Sequence, residues 1–242
     1  MADVAIVTGG AGGLGSSVCA ALAEDGLRVV VADYNGEGAQ ALAAKLKSEG
    51  REALGVGVDV GDRQSVEAMI QSAVDAYGQL DHQINFAGLM GRFSIADMTE
   101  EEWDRVIRVN LRGVFLCSQA AATVMRSRKQ GRIINVASGR GIAGAPYSAH
   151  YSASKAGVIA FTKSMAVEVT GDNILVNNIC PGRTETPMAR AGYTEEQWAA
   201  IKAVEPLQGG LTQKDEITGL VRYLVSDAAR FITGQTFLLR TP

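Results

Sequence analysis

Short apolar runs rich in β-branched residues alternate with longer segments of helical period, and this alternation most constrains the fold. Strand character is found at 4–8, 28–33, 53–60, 82–88, 131–138, 173–180 and 235–240. Amphipathic segments lie at 14–25, 36–49, 63–77, 100–127, 150–170, 195–204 and 213–226. Strands that are apolar on both faces and separated by helices form parallel sheets with helices on each side. The pattern predicts an α/β fold, a doubly wound seven-stranded parallel sheet in a single domain over 1–242.

One region departs from this pattern. Gly, Pro and Thr residues surround the short amphipathic piece at 195–204. We therefore expect 183–212 to form a mobile flap over a substrate site.

Composition excludes several classes of function. The 23 Lys and Arg residues against 26 Asp and Glu residues give a net charge of −3, which offers no basic footprint for nucleic acid. No apolar run approaches the length of a membrane span, and the N-terminus lacks a secretion signal. Three scattered cysteines, Cys19, Cys117 and Cys180, argue against disulfides and against a zinc site. We expect a cytoplasmic protein without a membrane, nucleic acid or metal partner.

A glycine-rich segment, TGGAGGLG (8–15), directly follows the first strand. Gly10, Gly12 and Gly15 satisfy the pattern GxGxxG, and the loop opens a helix whose free N–H groups and dipole favour a pyrophosphate. The alternative is that these glycines only form a tight strand-to-helix turn. The strand before, the helix after and an acidic residue ending the second strand favour dinucleotide binding.

That acidic residue is Asp33, 18 residues after Gly15. A carboxylate there accepts hydrogen bonds from ribose hydroxyls and repels a 2′-phosphate. Because residues 34–36 contain no arginine or lysine, we expect NAD rather than NADP. Asp59 follows the third strand, and two roles stay open for it: a contact to the adenine amine, or the cap of a helix beginning near Arg63.

The segment YSASK (151–155) places Tyr151 and Lys155 four residues apart, on one face of a predicted helix. A phenol with a pKa near 10 is a poor base at neutral pH, and an adjacent cation lowers that pKa. Ser138 ends a predicted strand, at the edge where open α/β sheets place ligand groups. Each residue also has a purely structural interpretation, as a packing pair or a cap, but next to a nucleotide loop the three suggest a proton relay beside a nicotinamide.

These segments, with NFAG (85–88), Asn110 in VNLRGVF and PGRTETPM (181–188), stand in the order and spacing of a known family. From Val4 to about Phe237 the chain resembles the short-chain dehydrogenases/reductases. The resemblance implies a Rossmann fold with Ser138, Tyr151 and Lys155 as catalytic residues. It also implies that Lys155 holds the nicotinamide ribose, that Asn110 supports a proton-relaying water, and that Thr186 meets the carboxamide.

The resemblance further implies which residues bind the cofactor and how the chain assembles. The expected cofactor-binding residues are Gly9, Gly12, Gly13, Leu14, Gly15, Asp33, Tyr34, Asp59, Val60, Asn85, Ala87, Gly88, Tyr151, Lys155, Pro181, Gly182, Thr184, Thr186 and Met188. A homotetramer, or a homodimer, is expected through the helices at 100–127 and 150–170. The chain departs from the family pattern at Phe86, at Leu175 and in the tail 240–242, and the departure in the tail concerns the subunit contacts of the last strand.

Loops after the fourth, fifth and sixth strands supply the candidate substrate pocket. The residues expected there are Met90, Phe93, Ser138, Arg140, Ala145, Tyr147, His150, Met188 and Trp198. This mostly apolar set fits a medium-sized hydrophobic secondary alcohol or ketone. For His150, packing or pocket lining is favoured over acid–base chemistry, and Arg140 is left between pairing with a substrate carboxylate and facing solvent.

The resulting expectation is an NAD-dependent oxidoreductase that interconverts a secondary alcohol and a ketone, with Tyr151 as general acid and base. The first alternative is a 3-oxoacyl-[acyl-carrier-protein] reductase, for which NADPH and a basic docking surface would be needed. A basic cluster is present at Arg126, Arg128, Lys129 and Arg132, but Asp33 and Asp172 weigh against that alternative. The second alternative is a catalytically silent NAD-binding sensor or scaffold.

Overall fold

The structure is a computed structural model that describes residues 2–191, 193–203 and 211–239, and a single parallel sheet runs through these residues. Its strands are β1 (Val4–Thr8), β2 (Arg28–Asp33), β3 (Ala53–Gly57), β4 (His82–Asn85), β5 (Gly131–Val136), β6 (Ile174–Cys180) and β7 (Thr236–Leu238). They pair in the order β3-β2-β1-β4-β5-β6-β7, all parallel. The predicted seven-stranded, doubly wound fold is confirmed.

Helices cover both faces of the sheet. They are α1 (Gly15–Glu24), α2 (Gly36–Ser48), α3 (Arg63–Tyr77), α4 (Glu100–Ile107), α5 (Gly113–Arg128), α6 (Arg140–Ala143), α7 (Ala149–Val169), α8 (Pro187–Arg190), α9 (Glu195–Ala203) and α10 (Lys214–Val225). A π-helical turn, Arg108–Arg112, joins α4 to α5. In the part of the chain that the structure describes, no helix has enough consecutive apolar residues to cross a bilayer.

Several strands end earlier than the sequence pattern predicts. The third ends at Gly57 rather than at 60, the fourth at Asn85 rather than at 88, and the fifth at Val136 rather than at 138. Apart from Asp59, the residues after the last ladder pair are apolar or small, so the strand pattern continues in the sequence although the backbone has turned away. These residues form the loops at the carboxyl edge.

The sheet lies between two apolar layers because successive residues of a strand point to opposite faces. Val4 and Ile6 of β1 pack into one layer with residues of α3, α5 and α7. Ala5 and Val7 pack into the other layer with residues of α1, α2 and α10. Burial on both faces explains why the strand runs are continuously apolar.

A row of buried asparagines crosses the middle of the sheet. Asn85, Asn135 and Asn178 are direct neighbours in the register of β4, β5 and β6. Asn85 Nδ2 donates to Asn135 Oδ1 at 2.7 Å, Asn135 Nδ2 donates to Thr162 Oγ1 at 2.8 Å, and Thr162 donates to Asn178 Oδ1 at 2.8 Å. This asparagine row satisfies its own polar groups inside the core, as a buried polar network must.

At the opposite, amino edge of the sheet, the buried Asp81 joins three segments. One carboxylate oxygen accepts from the backbone N–H of Val4 at 2.8 Å and from Gln79 Nε2 at 2.7 Å. The other accepts from Arg128 Nη1, at the end of α5, at 2.9 Å. The start of β1, the start of β4 and the end of α5 are therefore held by one side chain.

Candidate active site

The glycine loop closes tightly against the chain that follows β4. Gly9 has a φ of +67°, and a Cβ there would lie 2.8 Å from the backbone nitrogen of Ala87. A Cβ at Gly15 would lie 2.1 Å from the Gly9 carbonyl oxygen. Helix α1 starts at Gly15 without a side-chain cap and without an acidic residue in its first turn. The N–H of Ser16 donates to the Gly12 carbonyl at 2.9 Å, so what fits the pyrophosphate of a dinucleotide is the positive dipole of a helix end that carries no acidic residue.

Asp33 lies at the carboxyl end of β2, beside the glycine loop. Its Oδ2 accepts from the backbone N–H of Ala11 at 3.0 Å, and its Oδ1 accepts from that of Asn35 at 2.9 Å. Tyr34 is 83% exposed. The carboxylate is therefore oriented by the loop that would hold the pyrophosphate, at the position where ribose hydroxyls are expected.

Asp59 does not cap α3. The cap is Asp62, whose carboxylate accepts from Ser65 N at 2.8 Å. Asp59 instead accepts from the backbone N–H of Gly61 at 2.9 Å and from Arg108 Nη2 at 2.5 Å. The helix-cap alternative for Asp59 is wrong, because the helix begins too late for its side chain to reach the first turn.

Asn110 lies fully buried in the π-helical turn and supports the loop after β4. Its Oδ1 accepts from Leu89 N at 2.7 Å, and its Nδ2 donates to Leu89 O at 2.8 Å and to Ser154 Oγ at 3.3 Å. A Cβ on Gly88 would lie 3.4 Å from Asn110 Oδ1 and 3.7 Å from Lys155 Nζ. Gly88 therefore lies in ordinary contact distance of both Asn110 and the lysine.

Tyr151 and Lys155 lie on adjacent turns of α7, and Ser138 follows β5. The Ser138 side chain is close enough to the Tyr151 phenol to lower the pKa of that phenol. Lys155 Nζ lies 5.6 Å from the centroid of the Tyr151 ring and donates to the Val136 carbonyl oxygen at 2.7 Å. The lysine is 3% exposed. The structure thus brings the serine, phenol and ammonium group together at the carboxyl edge of β5.

The protonation of this group differs from the expectation. Burial raises the pKa of Tyr151 above its ordinary value, and the Ser138 side chain and the charge on Arg140 oppose that rise without cancelling it. The prediction of a lowered phenol pKa is therefore wrong for the chain by itself. Burial also lowers the pKa of Lys155 to about 8. Taking both groups out of water favours their neutral forms.

The expected nicotinamide-side residues follow β6. Pro181 and Gly182 are half-buried, and Thr184 is buried in a parallel bridge with Thr212. Thr186 Oγ1 accepts from Ala189 N at 3.1 Å at the start of α8, and Met188 is 44% exposed. Of the predicted flap 183–212, residues 192 and 204–210 lie outside the described residues, as does the end of the amphipathic piece at 204.

Other expected cofactor residues are placed at or beside the crevice. Val60 is 6% exposed, and Asn85 belongs to the buried asparagine row, so this side chain supports the sheet. Ala87 approaches the glycine loop through its backbone nitrogen. Gly12 donates its backbone N–H to the Gly9 carbonyl at 3.1 Å, and Gly13 and Leu14 complete the turn into α1.

The expected substrate residues divide into a buried and an exposed group. His150 is fully buried, with its ring edge-on to Phe93 at 6.1 Å and its Nε2 3.4 Å from a carboxylate oxygen of Glu102. Trp198 is 3% exposed. Met90 and Ala145 are half-buried, whereas Tyr147, with a φ of +58°, is 57% exposed. Burial supports the packing interpretation of His150.

Arg92 and Glu102 are residues near this site that the sequence did not single out. The Arg92 guanidinium lies 4.5 Å from the ring centroid of Tyr193 and 5.9 Å from that of Tyr147, and it hydrogen-bonds the Tyr193 hydroxyl. It thereby joins the loops after β4 and β5 to the flap segment. An isolated arginine in a loop carries no sequence signal, because its partners are distant in the chain.

Comparison with known proteins decides the family. The sequence profile of the family described as short chain dehydrogenase matches residues 3–197. This chain belongs to that family. A Streptomyces virginiae protein named for a monensin polyketide synthase ketoacyl reductase is 43% identical over 96% of this chain and 93% of its own length. A 3-oxoacyl-[acyl-carrier-protein] reductase of Synechocystis sp. is 39% identical over 98% and 94%. The crystal structure of gox2181 superposes with a TM-score of 0.94 at 34% identity, covering 99% of this chain and 95% of that one.

The departures from the family pattern are absorbed by packing. Phe86, where a second asparagine is usual, pairs its backbone N–H with Thr8 O at 3.1 Å and packs its ring against the apolar layer. Leu175, where an arginine is frequent, is 6% exposed within β6. The tail 240–242 lies outside the described residues.

Proposed function

We propose that the chain is a nicotinamide-dependent ketoreductase that reduces 3-oxoacyl substrates to 3-hydroxyacyl products. The observation that carries this proposal is the grouping of Ser138, Tyr151 and Lys155 at the carboxyl edge of β5, beside a loop fitted to a dinucleotide. The names of the relatives, both ketoacyl reductases, support the acyl class of substrate. The broader expectation, interconversion of a hydrophobic secondary alcohol and a ketone, includes this reaction.

The chemistry assigns one task to each side chain. When bound, a reduced nicotinamide supplies a hydride to the carbonyl carbon. Tyr151 donates its phenolic proton to the carbonyl oxygen as that oxygen gains charge, which a phenol that stays protonated at neutral pH is suited to do. Ser138 holds the same oxygen, and the positive charge of Lys155 stabilises the phenolate until solvent returns the proton.

We propose NAD(H) as the preferred cofactor. Asp33 presents a carboxylate held by Ala11 and Asn35 where the adenosine ribose would bind, and residues 34–38 contain no basic side chain. A 2′-phosphate would meet negative charge without a compensating cation. The expected cofactor contacts of Asp59, Thr186 and Met188 are part of this proposal.

The carrier of the acyl chain is a separate question. The cluster expected to meet an acidic carrier protein is largely neutralised within the chain. Arg126 and Lys129 both bind Asp172, at 3.0 Å and 2.5 Å, and Arg128 binds Asp81 at 2.9 Å. These pairs favour a small thioester over docking of a carrier protein on this cluster.

We further propose a cytoplasmic homotetramer, or homodimer, of single-domain subunits. Trp103, Phe115 and Val167 leave 38%, 36% and 82% of their surface exposed on α4, α5 and α7, the helices on which subunit contacts are expected. All three cysteines are buried and free, which suits a reducing compartment.

Oxidation of NADH and NADPH, followed by absorbance with acetoacetyl-CoA as substrate, tests the proposal. We expect turnover with a preference for NADH, and we expect Tyr151→Phe to lower kcat at least 100-fold, since general acid catalysis contributes roughly 10²–10⁴-fold. Folded protein that binds NAD but reduces neither acetoacetyl-CoA nor simple ketones would instead be a silent sensor or scaffold.

A further inference from the structure

Arg140 begins the short helix α6, which is packed directly on the catalytic turn of α7. A Cβ added to Gly141 would lie 2.7 Å from Ala156 N and 2.7 Å from the carbonyl carbon of Lys155. The backbone N–H of Arg140 donates to Ser138 Oγ at 3.2 Å. The position of Arg140 is therefore fixed relative to both the catalytic serine and the lysine.

The guanidinium group is also fixed, and by neutral partners. Its Nη1 donates to the hydroxyl of the buried Ser148 at 2.8 Å and lies 3.4 Å from Met90 Sδ. Met90 follows β4 and Ser148 precedes α7, so the side chain bridges the two loops that flank Tyr151. A flexible solvated arginine would have no such fixed geometry.

The charge of Arg140 has no carboxylate partner among residues 2–191, 193–203 and 211–239. Arg105, by contrast, pairs with Glu102, and Arg190 pairs with Glu185 and Glu195. The Arg140 charge nevertheless reaches the catalytic centre, because it lowers the pKa of Tyr151 against the effect of burial. A half-buried cation beside a catalytic group, held only by neutral groups, is suited to bind an electron-rich group of the substrate.

We propose that Arg140 determines specificity by binding the C1 oxygen of a 3-oxoacyl substrate while Ser138 and Tyr151 hold the C3 carbonyl. In such a substrate only one methylene carbon separates the two carbonyl carbons, so a group that binds the C1 oxygen must lie beside the groups that hold the C3 carbonyl. Arg140 meets this requirement, because its backbone N–H donates to Ser138 Oγ at 3.2 Å and its charge acts on Tyr151. The oxygen is either a thioester carbonyl or a free carboxylate. This inference rests on the proposed ketoreductase function and names its substrate class.

The test compares three substrates with wild type and Arg140→Met at pH 7. These are the N-acetylcysteamine thioester of acetoacetate, acetoacetate itself, and 2-heptanone, which lacks a C1 oxygen. At this pH Tyr151 is protonated with or without the arginine, so loss of the charge does not change the proton donor. We expect kcat/KM to fall about 10- to 100-fold, mainly through KM, for a substrate with a C1 oxygen, and less than threefold for 2-heptanone.

Two further variants separate recognition from a structural effect. Arg140→Lys keeps the charge and should recover part of the loss, whereas Arg63→Met, which removes an exposed arginine of α3, should leave all three values unchanged. If kcat/KM falls for the thioester alone, the bound oxygen is the thioester carbonyl. If kcat/KM falls for acetoacetate alone, the bound group is the carboxylate. An equal loss with all three substrates overturns the inference and leaves the ketoreductase function standing.

A binding measurement decides the inference if wild type reduces none of these substrates, in which case the proposed function fails. Acetoacetate is titrated calorimetrically into each protein in the presence of NAD. A larger Kd of acetoacetate for Arg140→Met than for wild type supports the role of Arg140. Equal Kd values refute it.

Discussion

At the scale of single residues, the catalytic pair is governed by burial more than by mutual attraction. The ammonium group of Lys155 donates to the Val136 carbonyl oxygen. The groups that lower the pKa of the Tyr151 phenol are Ser138 and Arg140. Burial favours the neutral form of both, raising one pKa and lowering the other. The spacing of four residues predicted that these groups meet, but burial depends on the packing of α6 and of the loop after β4, which spacing does not reveal.

The lowered pKa of Lys155 predicts a specific dependence of stability on pH. Unfolded lysine titrates near 10.5 and folded Lys155 near 8, so the unfolded chain binds the extra proton between these values and stability rises with pH there. Relative to Lys155→Met, the wild-type free energy of unfolding should rise by about 2 kcal/mol between pH 7.5 and 9.5. Urea denaturation at several pH values measures this difference.

The difference between the two proteins is the informative quantity. Burial raises the pKa values of Cys19 and Cys117, which lowers stability over the same pH range in both proteins equally. The pKa of Cys180 is also raised by burial, and there the charge of Lys155 opposes the rise, so Cys180→Ser in both backgrounds removes this coupling from the comparison. Tyr151→Phe, which keeps the lysine, should follow wild type up to pH 9.5. Parallel curves for wild type and Lys155→Met would show that the lysine is not desolvated as described.

Asp33 should control the choice between NAD(H) and NADP(H). Asp33→Ser combined with Tyr34→Arg removes the negative charge and adds a cation on an exposed position, so the ratio of kcat/KM values should move toward NADPH by tenfold or more. Asp33→Asn is the matched control, because it keeps a side-chain acceptor for Ala11 N and should weaken discrimination without creating a phosphate site. An unchanged ratio in the double variant would refute the role of Asp33.

At the scale of elements, the change from α4 to α5 is the feature that sequence periodicity could not predict. The segment 100–127 was expected as one amphipathic stretch, and it contains a π-helical turn at Arg108–Arg112. Such turns often occur at functional sites, because the extra residue redirects a side chain. Here the turn contains Asn110, whose amide holds both backbone groups of Leu89.

Replacing Asn110 should therefore loosen the loop after β4. In Asn110→Ala both backbone groups of Leu89 lose their hydrogen-bond partner. Loss of a bond that contributes roughly 1–1.5 kcal/mol should make opening of the Leu89 amide about tenfold more frequent. Amide hydrogen exchange at Leu89 measures this, and kcat should fall with it. Ser154→Ala removes only the third contact of Asn110 and should leave the Leu89 amide protected. Equal exchange in wild type and Asn110→Ala would contradict this role.

At the scale of the whole molecule, the two edges of the sheet have different tasks. The glycine loop, Asp33, Ser138 and Tyr151 all lie at the carboxyl edge. The loops at this edge begin before the apolar strand patterns end in the sequence. The amino edge is closed by Asp81 and its bonds to Val4, Gln79 and Arg128. The alternation of strands and helices predicted this architecture, because parallel order follows from connections that cross over.

The amino edge should matter for stability and not for catalysis. Asp81→Asn weakens bonds to three segments in a site that is 1% exposed, and we expect a loss of about 2–3 kcal/mol in the free energy of unfolding with kcat unchanged. Arg128→Met should lower the free energy of unfolding by less, because the Arg128 side chain is 39% exposed and its ion pair is partly screened by water. Urea denaturation of both variants tests the order. A loss at Arg128 as large as at Asp81 would count against it.

The limits of sequence reasoning are clearest where polar groups act through distant partners. Asp33 and the Tyr151–Lys155 pair were predicted because their partners are local or lie at a fixed spacing. Asp172 was noted only as an acid near where such reductases carry an arginine, and its pairing with Arg126 and Lys129, across 46 and 43 residues, carries no sequence signal. The Arg92 contacts to Tyr147 and Tyr193 had no such signal, because no periodicity relates a loop to a flap.

The asparagine row carries a consequence for how this chain could drift over generations. An aliphatic replacement at Asn135 alone would take one partner each from the amide of Asn85 and the hydroxyl of Thr162. In the apolar interior these two groups would keep only their bonds to Ser118 Oγ and Asn178 Oδ1. Descendants of this sequence should therefore change these positions jointly more often than singly, because each single change leaves hydrogen-bonding capacity unused inside the core.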